Sequence, residues 1–248
     1  MSIKKHEGGL RLESEALGSF ELSVITVCYN DVEGLKLTAN SVEKNLDESV
    51  EYIVIDGGSP DGTVDLLGKL PFISYWVSEP DSGIYDAMNK GIALAHGRAL
   101  LFMNAGDFID GDIPLGKLPA PSFLPVWYKN PFGNFRKIAI KSEKRGISNC
   151  HQGIVFENKG LMYDTNYRIS GDYEFFLRHG YDCHLPMANV KGRIVFDSSG
   201  VSSTLLADRD AEIEEIIEGY FGRYRAFLFR CIATVKRGIK ALLRSRSQ

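Results

Sequence analysis

The chain has 248 residues, 44% hydrophobic and 11% aromatic, which suffices for one large domain or one domain with an extension. Its formal net charge of -3 excludes the overall basic field of a nucleic-acid binder. Four widely spaced cysteines without a C-x-x-C pair argue against a zinc site or disulfide scaffold and for a reducing compartment.

Residues 1–20 are polar, lack the apolar centre of a signal peptide, and read as a tail or an added strand. No stretch approaches the ~20 apolar residues of a spanning helix, so a cytoplasmic protein is expected. A regular alternation then begins. "ELSVITVC" (21–28) is a β-branched apolar run, and Asn30 to Glu33 has capping-box spacing for a helix start. "YIVID" (52–56) is a second strand, after which Ser59 and Pro60 suit an N-cap and first helical position. "ISYWV" (73–77) is a third. Ser82 is placed to cap a helix with Ile84, Met88, Ile92 and Ala95 on one face and Gly97 as its stop. "ALLFM" (99–103) is a fourth. Strands alternating with helices predict an α/β protein with a mostly parallel central sheet flanked by helices.

The second half is less regular. Residues 123–140 read as two strands around a turn with Pro131, Gly133 and Asn134. "CHQGIVF" (150–156) and "GRIVF" (192–196) are further strand candidates, and "SGDYEFFLRHG" (170–180) is a short helix capped by Ser170. From Gly219 to Gln248 there are eight Lys/Arg and no Asp/Glu. Phe221, Tyr224, Leu228, Ile232, Val235, Ile239 and Leu242 recur there at three- and four-residue intervals. This basic amphipathic helical extension fits membrane-surface contact through 219–248, or a helix packed on the domain with a solvated basic face.

In open α/β sheets, ligands bind beyond the carboxyl ends of the strands. Here those ends carry "YND", "DGGSPDG", "EPDSG" and "NAGD". Asp56, followed by two glycines, suits a carboxylate accepting hydrogen bonds from a base or ribose; it equally suits a loop Asp bonding its own backbone. Asp107 offers the oxygen a hard cation takes, while Asn-Ala-Gly-Asp is also ordinary turn chemistry. Asp172 falls in the first turn of a helix, where the dipole favours negative charge whether or not the residue is a general base. His151 and Gln152 form a polar pair beside a strand, for which a structural role is the default. Neither G-x-G-x-x-G nor G-x-x-x-x-G-K-[ST] is present.

Taken in order, "SVITVCYND", "EYIVIDGGSPDGT", "SEPDSGIYDAMNKGIALAHGRALLFMNAGD", "CHQGIVF", "YRISGDYEFFLR" and "SGVSS" resemble the motifs of inverting family 2 glycosyltransferases, particularly the bacterial polysaccharide and exopolysaccharide enzymes. The resemblance spans about residues 21–205 and is most specific from Ser78 to Asp107. It implies a GT-A-like fold with a nucleotide-sugar half at 21–107, an acceptor and catalytic half at 108–205, and a C-terminal extension at 206–248. It places Asp56 with Gly57 at the nucleobase, Tyr29, Asn30 and Asp31 along the same pocket, and Asp81 near ribose and sugar. Asn89, Lys90 and Asn104 join the substrate-binding set. Asp107 becomes the metal-facing carboxylate for Mn²⁺ or Mg²⁺, Asp172 the catalytic base, and His151–Gln152 the pair near sugar and acceptor. Asn104 stands where a strict D-x-D motif has Asp, which removes one carboxylate.

The implied activity is transfer of a hexosyl-type sugar from a nucleoside-diphosphate sugar to a glycan or polyprenyl-linked acceptor, in surface polysaccharide synthesis. Such an enzyme would lie in the cytoplasm or peripherally on the inner face of the cytoplasmic membrane. The alternative is a non-catalytic nucleotide-sugar- or glycan-binding member of the same fold within a synthase complex. A nucleotidyltransferase ranks low, because "CYND" is neither glycine-rich nor basic.

Overall fold

The computed structural model describes residues 5–12, 19–129, 133–140, 150–197 and 206–245. The strands are β1 (His6–Gly8), β2 (Leu22–Cys28), β3 (Val50–Asp56), β4 (Tyr75–Ser78), β5 (Ala99–Asn104), β6 (Phe108–Asp110), β7 (Ser122–Phe123), β8 (Val126–Lys129), β9 (Phe135–Lys137), β10 (Ile154–Glu157) and β11 (Arg193–Asp197). The helices are α1 (Val32–Glu43), α2 (Thr63–Leu67), α3 (Ile84–Leu94), α4 (Gly171–Arg178), α5 (Leu206–Phe221) and α6 (Arg223–Ser245).

The central sheet has the order β1-β4-β3-β2-β5-β10-β7. Its middle, β4-β3-β2-β5, is parallel, whereas β1 and β10 join antiparallel at either side. A smaller sheet, β6-β11-β8-β9, stands beside it. β2 and β3 are buried along their whole length, as expected of parallel strands covered on both faces. Alternate residues point to opposite faces. Ile25, Val27, Ile53 and Ile55 therefore pack with Met88 and Ile92 of α3 and with Phe175, Ile213 and Ile216 of α4 and α5. Val24, Tyr52 and Val54 pack with Leu35, Ala39 and Val42 of α1 on the other side.

The helices form where periodicity predicts them, but their starts differ. α1 is capped by Asp31, which accepts from the Gly34 N–H at 3.0 Å; Asn30 takes a left-handed turn at φ 52°. α2 starts only at Thr63, because Ser59 is bonded to Asp56. The N-cap of α3 is Gly83, and the Ser82 N–H is held by Asp86 at 2.9 Å. Ile84 is exposed, and Tyr85 takes the inward place. Ser170 occupies the N-cap of α4 without a side-chain capping bond; its hydroxyl donates to the Arg209 carbonyl. His151–Gly153 forms a 3-10 turn, so the strand expected from residue 150 starts at Ile154. Pro131 and the "SGVSS" motif lie outside the described residues.

At the amino ends of the strands the N-terminal segment closes over the sheet. β1 pairs with β4, and the Leu10 and Arg11 N–H groups donate to the Ile73 and Ser74 carbonyls. The Arg11 guanidinium meets the fully buried Glu51, which also receives the Ser23 hydroxyl and the His96 and Gly97 N–H groups. Gly97 lies past the end of α3 with no room for a side chain: a Cβ would sit 2.5 Å from the Ser23 nitrogen and 2.6 Å from the Leu22 carbonyl carbon. Both neighbours are backbone, so Gly97→Ala is expected to destabilise the fold by about 1–3 kcal/mol, measurable as a lower denaturation midpoint in urea.

Candidate functional site

The parallel register levels Cys28 with Asp56 and Asp56 with Ser78, and sets Val27 beside Asn104. Four strand ends thus open at one rim, as the α/β topology requires of a ligand site. Antiparallel pairing of β10 with β5, with Val155 opposite Leu101, brings the His151–Gly153 turn to the same rim. α4 contributes Asp172 there from its first turn.

On the β2–β4 side, Tyr29, Gly57 and Asp81 converge. A Cβ on Gly57 would lie 2.6 Å from an Asp81 carboxylate oxygen and 3.0 Å from the Tyr29 ring. Tyr29 is 66% exposed, presenting an aromatic face beside bare backbone. Burial raises the Asp81 carboxyl above its ordinary pKa, against the bond it accepts from the Gly83 N–H and the nearby Lys90 charge. Asp31 is engaged as the α1 cap, and the Asn30 N–H donates to the Ser59 hydroxyl.

Asp56 is fully buried, and its oxygens accept from the Ser59 N–H (2.9 Å), the Ser59 hydroxyl and the Ser78 hydroxyl (2.6 Å). It braces the pocket floor. Asn89 and Lys90 also work as braces. The Asn89 amide exchanges bonds of 3.0 and 2.6 Å with the Tyr163 backbone, and the Lys90 ammonium reaches the Pro80 carbonyl and Glu79.

The Asn104–Asp107 segment is a true turn. The Asp107 N–H donates to the Asn104 carbonyl, and the buried Asp107 carboxylate accepts the Asn104 N–H at 2.7 Å. Thr38 of α1 holds the turn: its hydroxyl donates to the Asp107 carbonyl (2.6 Å) and accepts the Gly106 N–H. One polar atom of the turn is left over. The Asn104 Oδ1 is buried without a hydrogen-bond partner.

Across the rim, His151 Nδ1 lies 3.4 Å from Asp172 Oδ2, with both side chains mostly buried. The other Asp172 oxygen accepts the Tyr173 N–H at 2.9 Å. Gln152 is held by the Cys150 thiol. Burial raises the Cys150 thiol well above its ordinary pKa, and the charges of Asp107 and Asp172 both add to the effect. Burial and the Asp172 charge likewise raise the Tyr85 and Tyr163 phenols. Tyr85 donates to the Ile169 carbonyl at 2.8 Å, just ahead of α4. Tyr163 stacks on Phe175 at 3.9 Å between centroids.

Three residues around Asp107 and Asp172 thus keep a buried polar atom without a partner: Asn104 Oδ1, His151 Nε2 and the Tyr163 hydroxyl. Buried polar groups are nearly always satisfied, so these atoms stand out, as do those on Arg11, Ser122 and Arg209 away from the rim. Sequence reasoning missed Cys150, Tyr85 and Tyr163. Tyr85 was within reach, since it lies inside the specific Ser78–Asp107 block, but the helical pattern there draws attention to its apolar neighbours.

Among the described residues no group of three or more His, Cys, Asp or Glu side chains forms a metal cage. Asp107 and the unpartnered Asn104 oxygen are nonetheless hard ligands of the kind Mg²⁺ or Mn²⁺ takes when substrate phosphates complete its shell. The two oxygens fit a hard cation whose remaining ligands come from elsewhere.

Residues 23–118 match the model of "Glycosyl transferase family 2". An uncharacterized glycosyltransferase of Mycobacterium tuberculosis (strain ATCC 25618 / H37Rv) is 36% identical, covering 73% of this chain and 77% of its own. A PGL/p-HBAD biosynthesis glycosyltransferase of Mycobacterium bovis (strain BCG / Pasteur 1173P2) is 31% identical over 63% of this chain and 68% of its own. Among solved structures, S. aureus TarS in complex with UDP superposes with a TM-score of 0.57 at 15% identity, covering 81% of this chain and 65% of that one. The mannosyltransferase PcManGT from Pyrobaculum calidifontis, in complex with GDP-Man and Mn²⁺, gives a TM-score of 0.54 at 13% identity, covering 92% and 79%.

Proposed function

Because the chain belongs to glycosyltransferase family 2 and has a GT-A fold, we propose that it is an inverting enzyme that moves a hexosyl group from a nucleoside-diphosphate sugar to a hydroxyl of a glycan or lipid-linked acceptor. Surface polysaccharide synthesis is the setting this reading implies. The observation that carries it is the pair of carboxylates at the rim of a parallel sheet, Asp107 and Asp172, each beside a residue with an unpartnered polar atom, Asn104 and His151. A hydroxyl-rich sugar satisfies such atoms; an apolar ligand does not.

The donor's base lies against Tyr29 over Gly57, where an aromatic face and bare backbone admit a flat ring, and Asp81 meets the ribose or sugar. The diphosphate lies toward the Asn104–Asp107 turn. When bound there, Mn²⁺ or Mg²⁺ held by Asp107 and Asn104 supplies charge neutralisation for the diphosphate. Asp172 takes the proton of the acceptor hydroxyl as that oxygen attacks the anomeric carbon from the face opposite the diphosphate. The new C–O bond forms as the old one breaks, its electron pair leaves with the nucleoside diphosphate, and the configuration inverts. His151 orients the Asp172 carboxylate and turns its Nε2 toward the sugar.

A panel of UDP-, GDP- and dTDP-sugars with Mn²⁺, read as nucleoside diphosphate release, tests this. One donor should be turned over, fastest with a lipid-linked or glycan acceptor. Gly57→Val should weaken binding of that donor at least about tenfold by filling the slot between Tyr29 and Asp81. Binding of no nucleotide sugar would overturn the assignment; binding without turnover under any acceptor would leave a non-catalytic binding member.

A further inference from the structure

Helix α6 packs the wrong way round for a helix that only covers a core. Its side toward α5 carries Ala226 and Ala233, both buried, with the half-buried Phe229 between them. Its outer side carries the large apolar residues: Tyr224 is 72% exposed, Val235 61%, Phe227 51% and Ile232 50%, with Leu228 half-buried among them. The spacing 224, 227, 228, 232, 235 follows the helical repeat, so these side chains form one continuous stripe. A contiguous exposed apolar stripe on an otherwise ordinary surface marks a contact site.

The charge identifies the contact. Arg223 and Arg230 flank one side of the stripe and Arg225 the other, by their helical positions. Arg223 is paired with Glu218 and Arg230 with Glu214, both on α5, so the acids of the hairpin lie behind the stripe. From Gly219 to the end of the chain eight Lys and Arg stand without a single Asp or Glu. Apolar side chains facing outward between flanking cations match a bilayer interface, in which acyl chains meet the stripe and anionic headgroups the arginines. No helix among the described residues is long and apolar enough to cross a membrane, so α6 would lie along the surface.

We propose that the outer face of α6 docks the protein on anionic lipid bilayers. The inference stands on α6 alone and does not depend on the sugar-transfer reading.

Flotation of the full chain with vesicles of phosphatidylcholine alone, or with 30% phosphatidylglycerol, tests it, and needs no activity. The chain should float with the anionic vesicles, at least about tenfold less with the neutral ones, and less as salt rises. The double variant Phe227→Ser with Ile232→Ser should lose vesicle binding about tenfold or more while keeping its melting temperature and donor affinity, because both residues are exposed on the outer side of α6. Three results would overturn the proposal: no flotation with anionic vesicles, undiminished flotation of the double variant, or a lipid-free dimer of the full chain that the same variant converts to monomer, which would assign the stripe to a second copy.

Discussion

Asp172→Asn is expected to lower the transfer rate by about 10²–10⁴-fold while donor affinity stays within about twofold. Asn is nearly isosteric, and its amide oxygen can still accept the Tyr173 N–H that Asp172 accepts at 2.9 Å, so the α4 terminus should hold its shape. What is lost is the ability to take a proton. The donor contacts assigned to Tyr29, Gly57 and Asp81 lie at the ends of β2, β3 and β4, on other elements, so binding and chemistry should separate. Single-turnover rates beside donor titration calorimetry check this. A variant that binds donor and transfers at the wild-type rate would remove Asp172 from the role of base.

Glu212→Ala should reduce turnover by about 10²-fold with little change in the donor KM, although Glu212 touches no substrate. Its carboxylate accepts three successive backbone N–H groups, from Arg168 at 2.8 Å, Ile169 at 3.0 Å and Ser170 at 2.7 Å. Those residues lead directly into α4, and Ser170 occupies its N-cap without capping it. Removing the carboxylate leaves three donors without an acceptor and frees the loop that aims Asp172. Hydrogen bonds to a charged group contribute about 1.5–3 kcal/mol each, so a stability loss should accompany the loss of rate. Ile213, Ile216 and Ile217 remain buried and keep α5 in place. Glu212→Gln, which retains one acceptor oxygen, should recover part of the rate. The pair is read as kcat against KM together with urea midpoints. A variant that loses stability but keeps kcat would make Glu212 a purely structural tie.

The sheet was legible because its strands are short β-branched apolar runs, each ending abruptly in Asn, Asp, Gly and Ser. Those same polar ends made the helix starts hard to read. Asn30, Asp31, Ser59 and Ser82 are all competent caps, and tertiary contacts chose among them: Ser59 was drawn to Asp56, and Asp86 reached back to the Ser82 N–H. The site followed the same division. Tyr29, Gly57 and Asp81 could be placed together from the motif order, whereas the enclosure of Asp56 by Ser59 and Ser78 depends on side-chain direction, which spacing does not carry. His151 looked like a lone structural histidine because Asp172 lies far along the chain; only the antiparallel return of β10 beside β5 brings them to 3.4 Å. Glu212 was invisible for the same reason, since its three partners precede it by more than forty residues.

The pairing of β1 with β4 has a consequence for solubility. β4 would otherwise be the outermost strand of the parallel core, offering a row of open N–H and C=O groups to any passing chain. Such an edge is a template for intermolecular strand pairing and aggregation. Three residues, His6–Gly8, satisfy that edge, and Arg11 fastens them by reaching Glu51 under the sheet. A fragment trimmed to the first core strand would keep every residue assigned to catalysis but bare an adhesive edge on one side and, on the other, leave Glu51 buried without its arginine partner. Residues 5–12 guard that edge against a neighbouring chain.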